Sequence, residues 1–239
     1  RGGFYDGSHA EVQAMLSAEG IGIIEAARPQ GWVLEPEALR LLEMAGVPVP
    51  RFAWARSPAE AVEAAAGIGY PVVAKVVSPQ ILHKSDVKGV QPGIADSGGL
   101  ADAYERFSRL PGFEGVLVAE MLLGHELIVG AKHDFQFGPV ILLGIGGTAV
   151  EIYQDTATRM APLKASDVQS MLGCLRGRQL LTGHRGAAAV NVSRLTETVL
   201  RFSELVMALG DRIDSIDLNP VFGSPERCVV ADARIMLAC

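Results

Sequence analysis

A lysine stands in the middle of the apolar, β-branched run VVAKVV, Val72 to Val77. Bounded by Pro71 and by Ser78-Pro79, the run has the length and composition of a short buried strand. An ammonium inside such a strand is costly unless an anionic group meets it. Any fold for this chain must therefore bring negative charge to Lys75. Directly downstream, the apolar run gives way to His83-Lys84-Ser85-Asp86 and then Gly89.

The surrounding pattern predicts how that strand is housed. Residues 1–33 open with RGGFYDG, carry a helix-like HAEVQAMLSAEG and end in ARPQGW, and read as an N-terminal segment or linker. From Leu34 helices and strands alternate: a helix over EPEALRLLEMAG, a strand at RFAWA, a helix over SPAEAVEAAAGIG, the Lys75 strand and a helix over GGLADAYERFSRL. Further on, GVLVAEMLL, HELIVGAKHD, GPVILLGIGG and TAVEIYQD predict a largely antiparallel sheet. Helices over KASDVQSMLGCL and VSRLTETVLRFSELVMALG follow, and the strands DRIDSIDLNPVF and CVVADARIML come last. This order predicts an α+β protein divided near Pro111-Gly112, with a smaller part over 34–112 and a larger one over 113–239.

Bulk properties remove several classes of function. The formal charge of −6 offers no basic surface for nucleic acid or an anionic membrane. There is no apolar run of about eighteen residues to form a transmembrane helix. Cys174, Cys228 and Cys239 are odd in number and form no C-x-x-C pair, and no leader resembles a signal peptide, so the expected setting is the reducing cytoplasm.

The candidate chemistry lies in scattered pieces. No G-x-x-x-x-G-K-[ST] is present, which excludes a P-loop. The turn Gly144 to Gly147 follows an apolar strand and can turn backbone N–H groups toward an anion, although such turns are commonly only turns. Asp217 and Asn219 alternate with Ile216 and Leu218 and so share one strand face. Asp232 is expected in a second apolar strand; pairing of the two would gather three oxygen donors, a set suited to magnesium. An Asp-x-Asn alone more often marks a strand end. Taken with Lys75, however, a cation, a glycine turn and oxygen ligands are the parts that nucleotide phosphoryl transfer needs.

Seven segments in order, LRLLEMAGVPVP, GYPVVAKVVSPQILHKSDVKGV, GHELIVGAKHDFQFGPVILLGIGG, EIYQDTATRMAPL, GHRG, IDLNPV and ADARI, carry a resemblance. From Leu34 to Leu237 the chain resembles the ATP-grasp β subunit or domain of the nucleoside-diphosphate-forming acyl-CoA synthetases, which include ADP-forming acetyl-CoA synthetase and are related to succinyl-CoA synthetase. The resemblance implies an ATP-grasp fold of two subdomains with the nucleotide between them, and ATP/ADP with Mg2+ as cofactors. It places Lys75 at the nucleotide phosphates, whose charge would offset its burial, with Arg40 assisting. Glu120 and Glu126 fall at the adenine and ribose, and Gly146 and Gly147 at the glycine turn. Asn219 and Asp232 match magnesium ligands, with Asp217 beside them.

His83 matches a histidine on a mobile segment that takes a phosphoryl group from a phosphohistidine of a partner and delivers it to ADP. The partner would be a CoA-binding and ligase subunit or domain through which CoA and the acyl substrate enter. The implied reaction is acyl-CoA + ADP + phosphate ⇌ carboxylate + CoA + ATP. Without the resemblance, a histidine after Ile81-Leu82 reads as a half-buried packing residue. His125 and His133 read as positional, and His184 with Arg185 as an anion contact. Three positions depart from the family: Ser215 replaces a common carboxylate, Pro92 interrupts a strand, and Lys88 replaces a common glycine. Two alternatives stand beside this reading, a carboxylate–amine ligase of the ATP-grasp type, against which the HKSD segment argues, and a regulatory nucleotide-binding module of a larger chain.

Overall fold

The computed structural model describes residues 18–134, 136–147, 155–183 and 188–238. In chain order the elements are α1 (Ala18–Ala27), β1 (Trp32–Val33), α2 (Glu35–Met44), β2 (Phe52–Ala55), α3 (Pro58–Ile68), β3 (Val72–Val77), β4 (Val90–Ile94), α4 (Ser97–Ser108) and β5 (Gly115–Glu120). They continue with β6 (His125–Asp134), β7 (Gly138–Ile145), β8 (Thr156–Met160), α5 (Ala165–Cys174), α6 (Arg178–Leu181), α7 (Val192–Leu209), β9 (Ile213–Gly223), β10 (Cys228–Val230) and β11 (Ala233–Leu237). The chain forms two compact units, one of residues 34–36 and 50–122, the other of residues up to 33, 37–49 and 123 onward.

The smaller unit is an antiparallel sheet in the order β2-β5-β3-β4. Helices α3 and α4 supply Ala61, Ala65, Leu100, Ala103 and Phe107 to a core shared with Val72, Ala74, Val76, Val116 and Val118. Both helices start on caps that satisfy an otherwise orphaned donor: Glu60 N–H donates to Ser57 Oγ at 3.3 Å, and Gly99 N–H to Asp96 Oδ1 at 2.8 Å. Because strand side chains alternate, sending Val72, Ala74 and Val76 into this core turns Lys75 to the other face of the sheet. Pro92 sits in β4, the edge strand, where its missing N–H costs no ladder bond, and the β3–β4 register slips between Val72 and Ala74.

Strand β5 pairs with both β2 and β3, so this unit extends to Leu122 and the chain does not divide at 112. The physical reason is visible in GVLVAE. Five successive buried residues make it a central strand covered on both faces, not the first member of an alternating antiparallel sheet.

The larger unit is built on a sheet in the order β1-β11-β9-β6-β7-β8, with β10 also paired to β9. Along α7 the buried residues Leu195, Val199, Phe202, Val206 and Leu209 recur at helical spacing, and α5 adds Val168, Met171 and Leu172. The described part of residues 1–33 is no linker: β1 pairs Trp32 with Met236 and Val33 with Ile235, and Ile24, Ala27 and Val33 are buried. The expected strand CVVADARIML breaks at Ala231-Asp232 into β10 and β11, both antiparallel to β9. Most of the expected strand TAVEIYQD lies outside the described residues; the strand next in the chain is β8. Among the described residues no helix is long and apolar enough to cross a membrane.

Candidate functional site

In the smaller unit, Lys75 is only 6% exposed, and its Nζ donates to Glu35 Oε1 at 2.5 Å. Glu35, the first residue of α2, is itself 3% exposed, and Lys84 Nζ lies 2.8 Å from its other oxygen, Oε2. The negative group that Lys75 requires is thus supplied by the protein, which corrects the expectation that phosphate charge alone offsets its burial. Sequence reasoning missed Glu35. It lies forty residues from Lys75 and reads as an ordinary acid in a first helical turn, where the helix dipole already favours one.

The segment after β3 is anchored on both sides of His83. Ser78 Oγ donates to Pro111 O at 2.7 Å and accepts from Gln80 N–H at 3.1 Å, and Ile81 is buried. Beyond His83, Gly89 N–H donates to Lys84 O at 2.7 Å and Val76 N–H to Gly89 O at 2.8 Å, closing the segment back onto β3. A Cβ at Gly89 would lie 2.5 Å from Val76 Cγ1, so only glycine fits there. His83 itself is exposed. It is not the half-buried packing residue that Ile81-Leu82 alone suggested.

Glu120, at the end of β5, accepts from Arg51 N–H at 3.3 Å and has Arg51 Nε at 3.8 Å. Arg40 is in the larger unit and pairs with Glu19 on the surface, so its guanidinium is engaged by a carboxylate of the chain.

The larger unit gathers the other expected residues. Asp217 faces Arg234 across the β9–β11 register, with Arg234 Nη2 3.2 Å from Asp217 Oδ2. Burial raises Asp217 above the usual carboxylate range, Arg234 opposes that shift, and the charge of Asp232 adds to it. Asn219 is exposed, and its N–H donates to Asp232 O at 3.2 Å. Asp232 therefore reaches the edge of β9 from the break between β10 and β11 and not from within a strand. Among the described residues no three or more His, Cys, Asp or Glu side chains cluster, and this group is two acids and an amide. Ser215, two positions before Asp217, adds no acid to it.

An open hollow of about 330 Å³ in the sheet face is lined by Ile128, Gly130, Lys132, Val140, Leu142 and Asp217. Leu127, Val129, Ile141 and Leu143, which alternate with them, are fully buried, so the hollow occupies the face away from that core. Lys132 was not singled out in the sequence. Its strand parity with Ile128 and Gly130 was legible, but the pairing of Gly130 with Asp217 that brings it to this face appears only in the sheet register.

At one end of this sheet Gly146 N–H donates to Glu126 O at 2.6 Å, and a Cβ at Gly146 would come 2.7 Å from the Glu126 carbonyl carbon. Gly147 has φ +89 beside the Glu126 carboxylate. Glu126, expected at the adenine and ribose, and the glycine turn are therefore in direct contact, which the sequence did not show. His125 Nε2 meets Ala188 O at 2.8 Å, and His133 lies 3.6 Å from Asp211, both in positional roles. His184, Arg185 and Cys239 lie outside the described residues.

A family model described as an ATP-grasp domain matches residues 11–237. The β subunit of acetate–CoA ligase [ADP-forming] I from Pyrococcus furiosus is 39% identical over 224 residues, which cover 90% of this chain and 96% of that subunit. The 4-hydroxybutyrate–CoA ligase [ADP-forming] of Nitrosopumilus maritimus is 37% identical over 86% of this chain, which spans only 31% of that longer protein. A solved acetyl-coenzyme A synthetase 1 from Ca. Korarchaeum cryptofilum, in complex with coenzyme A and Mg-AMPPCP and with its phosphohistidine segment pointing towards the nucleotide binding site, superposes with a TM-score of 0.80 at 36% identity, covering 90% of this chain and 98% of that one. The chain belongs to the ATP-grasp domain family, the family of the β subunits of ADP-forming acetate–CoA ligases.

Proposed function

We propose that this chain is the nucleotide-binding, phosphoryl-transferring part of an ADP-forming acyl-CoA ligase, working in the cytoplasm with a CoA-binding and ligase partner. One observation carries the reading most directly: an exposed His83 on a segment fixed at both ends, beside the lysines of a buried carboxylate. An imidazole nitrogen is nucleophilic near neutral pH. In the direction of ATP synthesis it attacks the phosphorus of the partner's phosphohistidine; the new N–P bond forms as the partner's N–P bond breaks. A terminal oxygen of ADP then attacks the same phosphorus, releasing His83 and completing ATP.

The rest of the chain binds and orients. Lys75 offers its ammonium to the nucleotide phosphates, with Arg40 able to assist once it leaves Glu19. Glu120 and Glu126 would bind the adenosine part, and Gly147 would bring its backbone N–H to the turn that the Gly146 N–H bond to Glu126 O holds in place. Asp217, Asn219 and Asp232 would hold magnesium. An all-oxygen donor set fits that ion, and the repulsion of Asp217 by Asp232 is what a divalent cation relieves. Magnesium supplies charge neutralisation on the transferring phosphates.

The 31% span of the Nitrosopumilus ligase supports a division of labour in which carboxylate and CoA are bound outside this chain. The test is reconstitution. The chain alone should bind MgATP and make no acyl-CoA, and addition of the CoA-binding subunit of an ADP-forming ligase should restore synthesis from ATP, CoA and acetate. Synthesis by the chain alone, or none in any mixture while ATP is bound, overturns the proposal.

A further inference from the structure

One carboxylate in the smaller unit serves two lysines. Glu35 Oε1 accepts from Lys75 Nζ at 2.5 Å, and Oε2 makes an ion pair with Lys84 Nζ at 2.8 Å without hydrogen-bond geometry, with the Glu35 side chain 2% exposed. Lys75 lies in β3, which leads into the His83 segment, and Lys84 is the residue after His83. Both flanks of the segment are thus held to the same group. Adjacent Cα atoms are about 3.8 Å apart, so a tether on the Lys84 ammonium limits how far the backbone that carries His83 can move. The backbone of Lys84 is held as well, through the bond that its carbonyl accepts from Gly89 N–H.

We infer that Glu35 is a positioning residue for phosphoryl transfer, acting through Lys84 on His83 and through Lys75 on the ammonium that meets the nucleotide. The inference rests on the reading of His83 as the phosphoryl carrier. Glu35 touches no reacting atom in this role. Its work is to set where the imidazole stands, and a misplacement of about 1 Å in such a step costs on the order of 10²-fold in rate. A carboxylate is required because each oxygen meets a separate ammonium. Glutamine keeps the shape but can offer only one acceptor oxygen. Aspartate keeps both oxygens but is shorter by one methylene, and so falls between the two.

The test compares wild type with Glu35→Gln, Glu35→Asp and Lys84→Met in two assays. Amide hydrogen exchange on the free chain reads residues 81–89. Exchange there should quicken by about tenfold or more in Glu35→Gln and Lys84→Met, less in Glu35→Asp, with the β3–β5 pairing still protected. The second assay follows labelled phosphate from ATP onto His83 with the CoA-binding partner present. Its rate should fall on the order of 10²-fold in Glu35→Gln and Lys84→Met and partly recover in Glu35→Asp, while the KM for ATP in Lys84→Met stays within about threefold.

Should Glu35→Gln fail to fold, Lys84→Met carries the test, because it leaves the Lys75–Glu35 pair in place. Unchanged exchange over 81–89 overturns the inference, and so does wild-type labelling in variants whose exchange has quickened. A wild-type chain that binds ATP and never labels overturns the reading of His83, and the role of Glu35 in catalysis with it; the exchange data identify that failure separately.

Discussion

Arg234 stands directly across from Asp217 in the β9–β11 register, 3.2 Å away, yet Asp217 holds its proton more tightly than an ordinary aspartate. Burial outweighs the arginine, and Asp232 adds repulsion. The linkage has a definite sign. With its folded value raised, the Asp217 contribution to stability is full below the unfolded aspartate range and is lost as pH rises through the raised value. Asp217→Asn should therefore gain on wild type, without metal, as pH climbs through that window. Urea unfolding of both proteins along a pH series checks this. A difference that is flat with pH removes the strain assigned to Asp217.

Magnesium should depend on the same corner of the sheet. Asn219→Ala and Asp232→Ala are each expected to abolish magnesium-dependent tight binding of nucleotide and to leave weak metal-free binding, since in the proposed site these residues hold the ion and not the base. Calorimetric titration of ATP with magnesium and with a chelator separates the two. Equal magnesium enhancement in wild type and both variants excludes them as ligands.

Lys75→Met is expected to act twice. It leaves Glu35 with one ammonium in place of two, and loss of a partner from a buried pair costs about 3–5 kcal/mol, less here because Lys84 remains. It should also weaken MgATP binding by on the order of 2 kcal/mol or more, as for a lost charge-assisted hydrogen bond. Adding Glu35→Leu should recover none of the binding and little of the stability, because it takes the carboxylate from Lys84 as well. Denaturant midpoints and calorimetry on the single and double variants measure the two effects independently. Full affinity in a folded Lys75→Met protein removes Lys75 from the phosphate site.

How far such features were legible depends on their range in sequence. The buried Lys75 strand, the shared face of Asp217 and Asn219 and the edge position of Pro92 follow from a two-residue period and from the missing proline donor, and the structure has all three. Glu35 was not legible, because nothing local distinguishes a helix-start acid that reaches a lysine forty residues on from one that faces water. The break at Asp232 was hidden for a related reason. CVVADARIML is apolar on both sides of Ala231-Asp232, and only pairing with β9 shows that the strand stops there. The division of the chain failed at β5 because a strand's sheet is decided by its partners, not by the turn before it.

Lys88 is the only non-glycine residue with positive φ among the described residues, at +54. An L-residue in that region is strained by roughly 1–2 kcal/mol, against roughly 0.4–1 kcal/mol of extra unfolded-state entropy for glycine. Lys88→Gly should thus stabilise the chain by up to about 1.5 kcal/mol. Gly89→Ala should do the reverse by about 1–3 kcal/mol, because its methyl would press on Val76. Chemical denaturation of both variants decides the matter, and a destabilised Lys88→Gly protein would show that the lysine side chain holds the turn.

His83 separates a phosphoryl carrier from a plain nucleotide site. It is exposed between the buried Ile81 and the Glu35-bound Lys84, so its removal should leave the segment and the fold intact. A group that acts in a chemical step changes the rate and not ground-state binding. His83→Ala should accordingly bind MgATP with wild-type affinity, lose acyl-CoA synthesis with the partner present, and take up no phosphate from labelled ATP. In wild type the label should be acid-labile and base-stable, as a phosphoramidate is, and should map to the peptide containing His83. His83→Gln, which keeps a polar side chain but no nucleophilic ring, should behave like the alanine variant. Synthesis at the wild-type rate by either variant, in the same mixture that labels wild type, would place the phosphoryl group on another residue and leave His83 with a positional role.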